Sequence, residues 1–148
     1  MEKPKKAISE FYQCIKKNDD LYRSFQKYSG LSDAEYWCLS AVRSGECSYQ
    51  HEISEYMFLS RQTIHSALKH LIQKGLICLI TPEENQRIKE IVFTEKGEAF
   101  AEKYLDIMIQ AEENAWFSLT PKEQDSLVHI INKLNKHLET ELQNHIQK

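Results

Sequence analysis

The sequence SRQTIHSALKHLIQKG, residues 60–75, predicts an amphipathic helix with a clear start and a clear end. Ser60 is a favourable N-cap, and Gly75 is a favourable residue at a helix C-terminus. The apolar residues recur at intervals of three and four, so they share one face that can pack on a core. They are Ile64, Ala67, Leu68, Leu71 and Ile72.

The opposite face of this helix is polar and has no carboxylate. No Asp or Glu occurs from Met57 to Pro82, although the chain as a whole has a net charge of −3. Phosphate repels carboxylates, Lys can neutralise it, and Arg, Gln and Ser can reach base edges in a major groove. We therefore predict DNA contacts from Ser60, Arg61, Gln62, Thr63, His65, Ser66 and Lys69. An ordinary amphipathic helix with a solvated polar face is the alternative.

The neighbouring segments favour the DNA-binding interpretation. Residues 48–57 predict a short preceding helix, with Ser48 as its cap and with Ile53, Tyr56 and Met57 facing inward. A brief turn at residues 58–59 gives helix-turn-helix spacing. Residues 76–81 and 87–93 are rich in strand formers and flank a turn, which predicts a hairpin wing. We place Arg87 and Lys89 on the second wing strand, as further DNA contacts.

The order and spacing of three segments resemble the MarR family of winged-helix regulators. These are residues 31–42, residues 60–76 with the glycine that ends the helix, and residues 92–97 at the junction of the wing and the next helix. The resemblance implies a mainly α fold with a small β-wing (α+β), as one domain over residues 1–148. The winged helix would span about 31–97, between dimerisation helices at about 5–29 and 98–146. It also implies a homodimeric, sequence-specific regulator, expected to be a repressor, that binds double-stranded DNA.

The wing departs from the family pattern at two places. The family's Asp-x-Arg motif is Asn85-Gln86-Arg87 here, so the Arg is kept and the Asp is lost. The family also tends to have Arg on the first wing strand, where this chain has Leu79 and Ile80. We therefore expect a weaker wing contact, supported mainly by Arg87 and Lys89.

Other helices extend beyond the winged helix. Capping boxes are predicted at Ser32–Glu35 and Thr120–Glu123, and one helix is predicted over residues 95–117. The last helix carries a long apolar stripe, formed by Leu127, Ile131, Leu134, Leu138 and Leu142. A stripe this long predicts burial against a partner helix, and so a homodimer, although packing within one subunit is the alternative.

Composition and motifs argue against several classes. No catalytic signature such as HExxH, GxSxG or a P-loop is present, so we expect neither an enzyme nor a cofactor. The six histidines lack metal-ligand spacing, and the four cysteines lack CxxC pairing. The N-terminus has no apolar stretch of the signal-peptide kind, and the longest apolar run is too short for a membrane span. We expect a cytoplasmic protein with no membrane partner.

Two kinds of signal remain open from the sequence. In the peroxide-sensing branch of the family, a cysteine early in the first helix is oxidised, and tyrosines four and fourteen positions later bond to it. Cys14 has Tyr28 fourteen positions later but Asn18 four positions later, so it matches the peroxide-sensing pattern only in part. The alternative interpretation is that Cys14 is a buried structural cysteine. The family also binds small aromatic or amphipathic ligands between the dimer helices and the winged helix, where Tyr12 and Trp37 are candidates. The alternative to a DNA-binding regulator is a winged-helix module that binds proteins instead of DNA.

Overall fold

The computed structural model describes residues 3–146. Seven α-helices precede and follow one hairpin in this part of the chain, and a single 3₁₀ turn, Lys27–Ser29, follows the first helix. The elements are α1 (Lys3–Gln26), α2 (Asp33–Arg43), α3 (Gln50–Met57), α4 (Arg61–Gln73), β1 (Ile77–Ile80), β2 (Glu90–Phe93), α5 (Glu95–Tyr104), α6 (Asp106–Phe117) and α7 (Pro121–Ile146). The chain divides into two compact units between residues 109 and 110, so α6 begins in the first and ends in the second.

The core of the first unit lies among α2, α3, α4 and the hairpin. Its fully buried side chains include Tyr36, Leu39, Ile53, Ile64, Leu71, Ile77 and Leu105. The apolar positions predicted for α4 are buried, except that Ile72 is exposed. Tyr56, predicted to face inward, is exposed as well. Both lie near the margin of a helical apolar stripe, where periodicity alone does not fix burial.

The two strands pair antiparallel, with Ile77 opposite Phe93 and Ile80 opposite Glu90. The strands are four residues each and shorter than predicted, so Arg87 and Lys89 precede β2 and do not lie on it. Gly97 is required where the wing meets α5, because a Cβ there would overlap the carbonyl oxygen of Leu76. The family-like junction of residues 92–97 therefore has a steric basis.

The helix predicted over residues 95–117 is two helices that meet at Leu105. Arg43 at the end of α2 binds a carboxylate on each side of the junction, with 2.6 Å to Glu98 and 2.7 Å to Asp106. The hydrogen bond to Asp106 raises the pKa of Arg43 and lowers that of Asp106. Apolar residues stay in phase across the junction, which is why periodicity predicts a single helix.

Local signals at helix starts were largely predicted. The capping box of Ser32 and Glu35 is present, and so are the reciprocal bonds between Thr120 and Glu123. The prediction of Ser48 as the cap of α3 was wrong, because the N-cap is Tyr49. The carboxylate of Glu52 turns back to accept from the backbone N–H groups of both residues, at 2.7 Å and 3.0 Å.

The second unit consists of the end of α6 and the long α7. The amide of Gln124 donates to the carbonyl oxygens of Trp116 and Leu119, at 2.9 Å and 3.2 Å, and so closes the turn between them. No described residue of α7 is buried, and Leu134, Leu138 and the rest of the predicted stripe lie largely open in the single chain. Within residues 3–146, no helix combines the length and apolar character of a membrane span.

Candidate nucleic-acid interface

The start of α4 is organised by Ser60. Its Oγ accepts from the backbone N–H of Thr63 at 3.1 Å and lies 2.8 Å from the Thr63 hydroxyl. This cap uses one of the free N–H groups of the first turn and fixes where the helix begins. Thr63 remains exposed, but its hydroxyl is already engaged with the cap, which makes it a supporting residue more than a free contact.

The polar side chains predicted on the outer face of α4 are all exposed and lie side by side. They are Arg61, Gln62, His65, Ser66 and Lys69. A shallow groove runs beside them, between α4 and the start of α2, and it is lined by Ser32, Ala34, Gln62, Thr63, Ser66, Ala67 and His70. The helix therefore presents hydrogen-bond donors on side chains of different length, and its own segment has no carboxylate. A helix that enters a major groove requires both features.

The far end of α4 is anchored by a buried carboxylate that belongs to α2. Glu35 is 4% exposed, and its oxygens lie 2.8 Å from Nζ of Lys74 and 3.2 Å from Nδ1 of His70. Burial opposes ionisation of this carboxyl, but the hydrogen bonds from Lys74 and from the Ser32 backbone outweigh it and lower its pKa. The sequence predicted Glu35 only as a member of the capping box with Ser32. Its contacts with His70 and Lys74 join distant parts of the chain, and no local pattern predicts them.

The wing turn carries the two other predicted contacts. Arg87 and Lys89 are both exposed. Oδ1 of Asn85 accepts from the backbone N–H of Arg87 at 3.0 Å, so this side chain shapes the turn. Leu79 and Ile80 of β1 are exposed where the family tends to have Arg, so the wing's described cations are confined to its tip.

The base of the wing is tied to the helix-turn-helix. The backbone N–H of Ile91 donates to the carbonyl oxygen of Ser48 at 2.9 Å, and Tyr49 forms an antiparallel bridge with Glu90. Thr94 closes the other side by donating to the carbonyl oxygen of Gly75. These bonds fix the base of the wing relative to α3 and to the end of α4.

The predicted sensor residues are dispersed. Cys14 is exposed on α1, so the expectation of a buried structural cysteine was wrong, and Tyr28 is 76% exposed in the 3₁₀ turn that follows. Fourteen helical residues span about 21 Å, so these two side chains of one chain do not meet. Tyr12 is exposed and packs its ring at a tilt against Phe11.

Trp37, another predicted ligand contact, is part of the packing between α1 and α2. Its ring centroid lies 5.3 Å from that of Tyr22. Its Nε1 donates to the buried amide of Gln26 at 3.1 Å, and that amide in turn donates to Asp33 at 3.0 Å. A side chain engaged in this way is a structural residue of the single chain, and it is only half-buried.

The remaining cysteines divide by exposure. Cys38 and Cys47 are buried in the winged-helix core, where burial raises the pKa of both thiols, that of Cys38 to about 12. Cys78 is exposed on β1. No cluster of three or more His, Cys, Asp or Glu side chains suited to a metal ion occurs in the part of the chain that the structure describes.

Comparisons by sequence and by structure each find proteins to which this chain is similar. Residues 29–88 match a family model described as "MarR family". The chain is 29% identical over 118 residues to the HTH-type transcriptional regulator SarZ of Staphylococcus epidermidis, a match that covers 80% of this chain and 78% of that protein.

Solved structures share the fold at low identity. A MarR family regulator from Neisseria meningitidis is 18% identical with a TM-score of 0.74, over 93% of this chain and 96% of that one. MarR of Staphylococcus aureus in complex with salicylate and kanamycin is 18% identical with a TM-score of 0.64, over 93% of each chain. MepR of Staphylococcus aureus, solved as a complex with DNA, is 17% identical with a TM-score of 0.62, over 88% of this chain and 96% of that one. At such identities the likeness establishes the fold.

Proposed function

Residues 29–88 match the MarR family model, and on that premise we propose that the chain is a member of this family and acts as a sequence-specific, DNA-binding transcriptional regulator. The observation that carries the proposal is the outer face of α4. Its exposed donors, from Arg61 to Lys69, stand on a helix that is capped at one end and anchored by Glu35 at the other. A rigid helix with free donors is what base recognition in a major groove requires.

The relatives support this function. The similar protein SarZ is named as an HTH-type transcriptional regulator, and a structure of the same fold is a MepR–DNA complex. Arg61 and Gln62 would contact base edges from the first turn of α4, while Ser60, His65, Ser66 and Lys69 would complete the groove contact. Arg87 and Lys89 at the wing tip would reach the backbone or the minor groove, with Asn85 holding the turn that presents them.

We propose a homodimer as the acting form. The apolar stripe of α7 and apolar residues of α1, such as Ile8 and Ile15, are exposed in the single chain, and contiguous exposed apolar surface marks sites of association. A symmetric pair would cover these surfaces and carry two copies of α4, which would read half-sites about one helical turn apart. A dimer bound over a promoter would exclude other proteins from it, so repression is the proposed mode, in the cytoplasm.

The proposed signal is a small aromatic or amphipathic molecule that changes DNA affinity. The salicylate complex of a protein with the same fold supports this class of ligand. Tyr12 and Trp37 are the candidate contacts on this chain. Tyr12 is exposed on α1, which is proposed to pair in the dimer, and Trp37 is half-buried on α2 of the winged helix. The protein's role in this scheme is binding, with no catalytic step.

A gel-shift titration with the DNA upstream of the protein's own gene, over a series of salt concentrations, tests the proposal. We expect a discrete shifted complex at nanomolar protein, a marked loss of affinity with rising salt, and little binding to a scrambled duplex of the same length. A protein that binds both duplexes equally, or neither, would contradict it. The second outcome would favour a winged-helix module that binds another protein.

A further inference from the structure

The turn between α3 and α4 contains a residue in an unusual backbone conformation. Phe58 has φ 52° and ψ 37°, in the left-handed region, and it is the one non-glycine residue with positive φ within residues 3–146. This region is unfavourable for residues with a Cβ, and the turn of a helix-turn-helix often contains glycine for that reason. The chain therefore keeps a phenylalanine at a position where glycine would be less strained.

The Phe58 side chain does not compensate for this strain through packing. It is 95% exposed, although phenylalanine is among the residues most often buried. The turn around it is held by other groups, because the backbone N–H of Leu59 donates to Ser54 at 3.2 Å and the Ser54 hydroxyl donates back to Leu59 at 2.7 Å. Strained residues of this kind are concentrated at functional sites.

The position of Phe58 indicates what the ring meets. It stands two residues before Ser60, the N-cap of α4, and within the segment from Met57 to Pro82 that has no carboxylate. Arg61 and Gln62, proposed to contact bases, follow in the first helical turn. The N-terminal end of a recognition helix is the part that enters the major groove, and Phe58 is close to this end along the chain.

We propose that Phe58 is a further specificity-determining residue, whose ring contacts the C5-methyl group of a thymine in the major groove. This inference rests on the proposed function. Phe has no hydrogen-bonding group, so it gains nothing from phosphate or from the polar base edges, whereas the thymine methyl is the apolar feature of the groove and Phe is one of its known partners. Exposure and strain in the free protein are then the cost of a contact formed only on DNA.

The test begins with selection of binding sites by the wild-type protein from a random duplex library. Each thymine of the enriched duplex is then replaced in turn by deoxyuridine, which removes only the C5-methyl group. Affinities are measured for the wild type, for Phe58→Asn, and for Phe58→Tyr as the matched control that keeps the ring. Asn tolerates the left-handed conformation, so it relieves the strain and removes the apolar contact together.

We expect one thymine per half-site at which deoxyuridine weakens wild-type binding about fourfold, the value of one buried methyl group. Phe58→Asn should lose a similar factor on the thymine duplex and should be indifferent to the deoxyuridine replacement, while Phe58→Tyr should behave as the wild type. Phe58→Asn should also unfold at the same temperature as the wild type or higher, and should sediment as the same species. That combination separates a DNA contact from a structural role.

Other outcomes would overturn the inference in distinguishable ways. If selection enriches no duplex, the proposed function fails and the Phe58 contact fails with it. If a duplex is enriched but Phe58→Asn binds it as well as the wild type, the contact alone is wrong. If Phe58→Asn weakens binding while deoxyuridine has no effect on the wild type, the thymine methyl is not the partner. A lower unfolding temperature or an altered sedimentation of Phe58→Asn would assign the ring to folding or assembly.

Discussion

Nζ of Lys74, one residue beyond the end of α4, lies 2.8 Å from Oε2 of Glu35, which is buried at the start of α2. The same carboxylate lies 3.2 Å from Nδ1 of His70, one turn earlier on α4. His70 of the proposed recognition helix and Lys74 at its C-cap thus converge on one carboxylate of α2. This anchor adds to the burial of Ile64 and Leu71 in the core in setting the direction of α4, whereas the cap at Ser60 fixes where the helix begins.

We expect Glu35→Gln to lower the free energy of unfolding by about 1–2 kcal/mol at neutral pH, as expected when a buried charged hydrogen bond is removed. The pKa of Glu35 is below its ordinary value of 4.5 in the folded protein, so the unfolded chain binds the proton more readily. The stabilisation is therefore complete above pH 4.5 and is lost as the pH falls through the folded-state pKa. Denaturant titrations at several pH values measure it.

The free energy of unfolding of Glu35→Gln should accordingly fall less steeply than that of the wild type between about pH 5 and pH 3. It should not vanish, because Asp106 also has a lowered pKa in the folded state. Glu84→Gln, in the exposed wing turn, is the control and should leave the profile unchanged. Parallel profiles for the wild type and Glu35→Gln would show that folding does not lower the pKa of this carboxyl.

The pair Arg61 and Gln62 tests the contact with bases. Each good base contact contributes about 1–3 kcal/mol to discrimination, so the variant Arg61→Ala/Gln62→Ala should bind the preferred duplex far more weakly and should lose preference at one or two positions per half-site. Gln73→Ala is the matched control, since Gln73 is exposed at the other end of α4. Competition binding against duplexes with single changes measures both effects. An unaltered preference would remove the first turn of α4 from recognition.

The wing cations should act without regard to sequence. Arg87→Ala/Lys89→Ala should weaken all duplexes by similar factors and should reduce the slope of log affinity against log salt by roughly 0.9 for each phosphate that the wing no longer neutralises. Lys103→Ala/Lys122→Ala removes the same charge from exposed sites on α5 and α7, outside the winged helix. A salt slope that changes equally in both variants would indicate bulk charge in place of a wing contact.

The winged helix was predictable because its signals are local or periodic. Ser60 as N-cap, the Ser32–Glu35 capping box and the hairpin turn all follow from a few neighbouring residues. The anchoring of α4 by Glu35 was not predictable, since it joins residues 39 positions apart. The junction at Leu105 was missed because the apolar phase continues through it, and the conformation of Phe58 because its residue type argues against it.

For the candidate site, the sequence predicts which side chains are exposed together on α4. Their exposure follows from the same periodicity that buries Ile64 and Leu71. The placement of Arg87 and Lys89 on a strand was wrong, because the strand begins only at Glu90. Short strands at a hairpin tip are set by turn geometry, and here the Asn85 side chain bonds the Arg87 backbone and holds that part of the chain in a turn.

Association through α7 is testable with one charge. Leu134 lies within the exposed apolar stripe, and Leu134→Glu would place a carboxylate against apolar surface or against its own symmetry mate. We expect the wild type to sediment as a dimer at micromolar concentration and Leu134→Glu to shift toward monomer. Lys136→Glu adds the same group about 200° around the helix and should remain dimeric. A wild-type monomer at that concentration would contradict the proposed assembly.

Cys14 provides the last test, which concerns the signal. A thiol that senses peroxide needs groups that favour its thiolate, yet Asn18 stands one turn later and Tyr28 lies about 21 Å along the chain. We therefore expect organic hydroperoxide to leave the DNA complex intact in the wild type and in Cys14→Ser, as measured by gel shift. Cys78→Ser, which removes the exposed wing thiol, is the control. Release in the wild type and in Cys78→Ser, but not in Cys14→Ser, would make this protein a thiol-based sensor and would replace the proposed small-molecule signal.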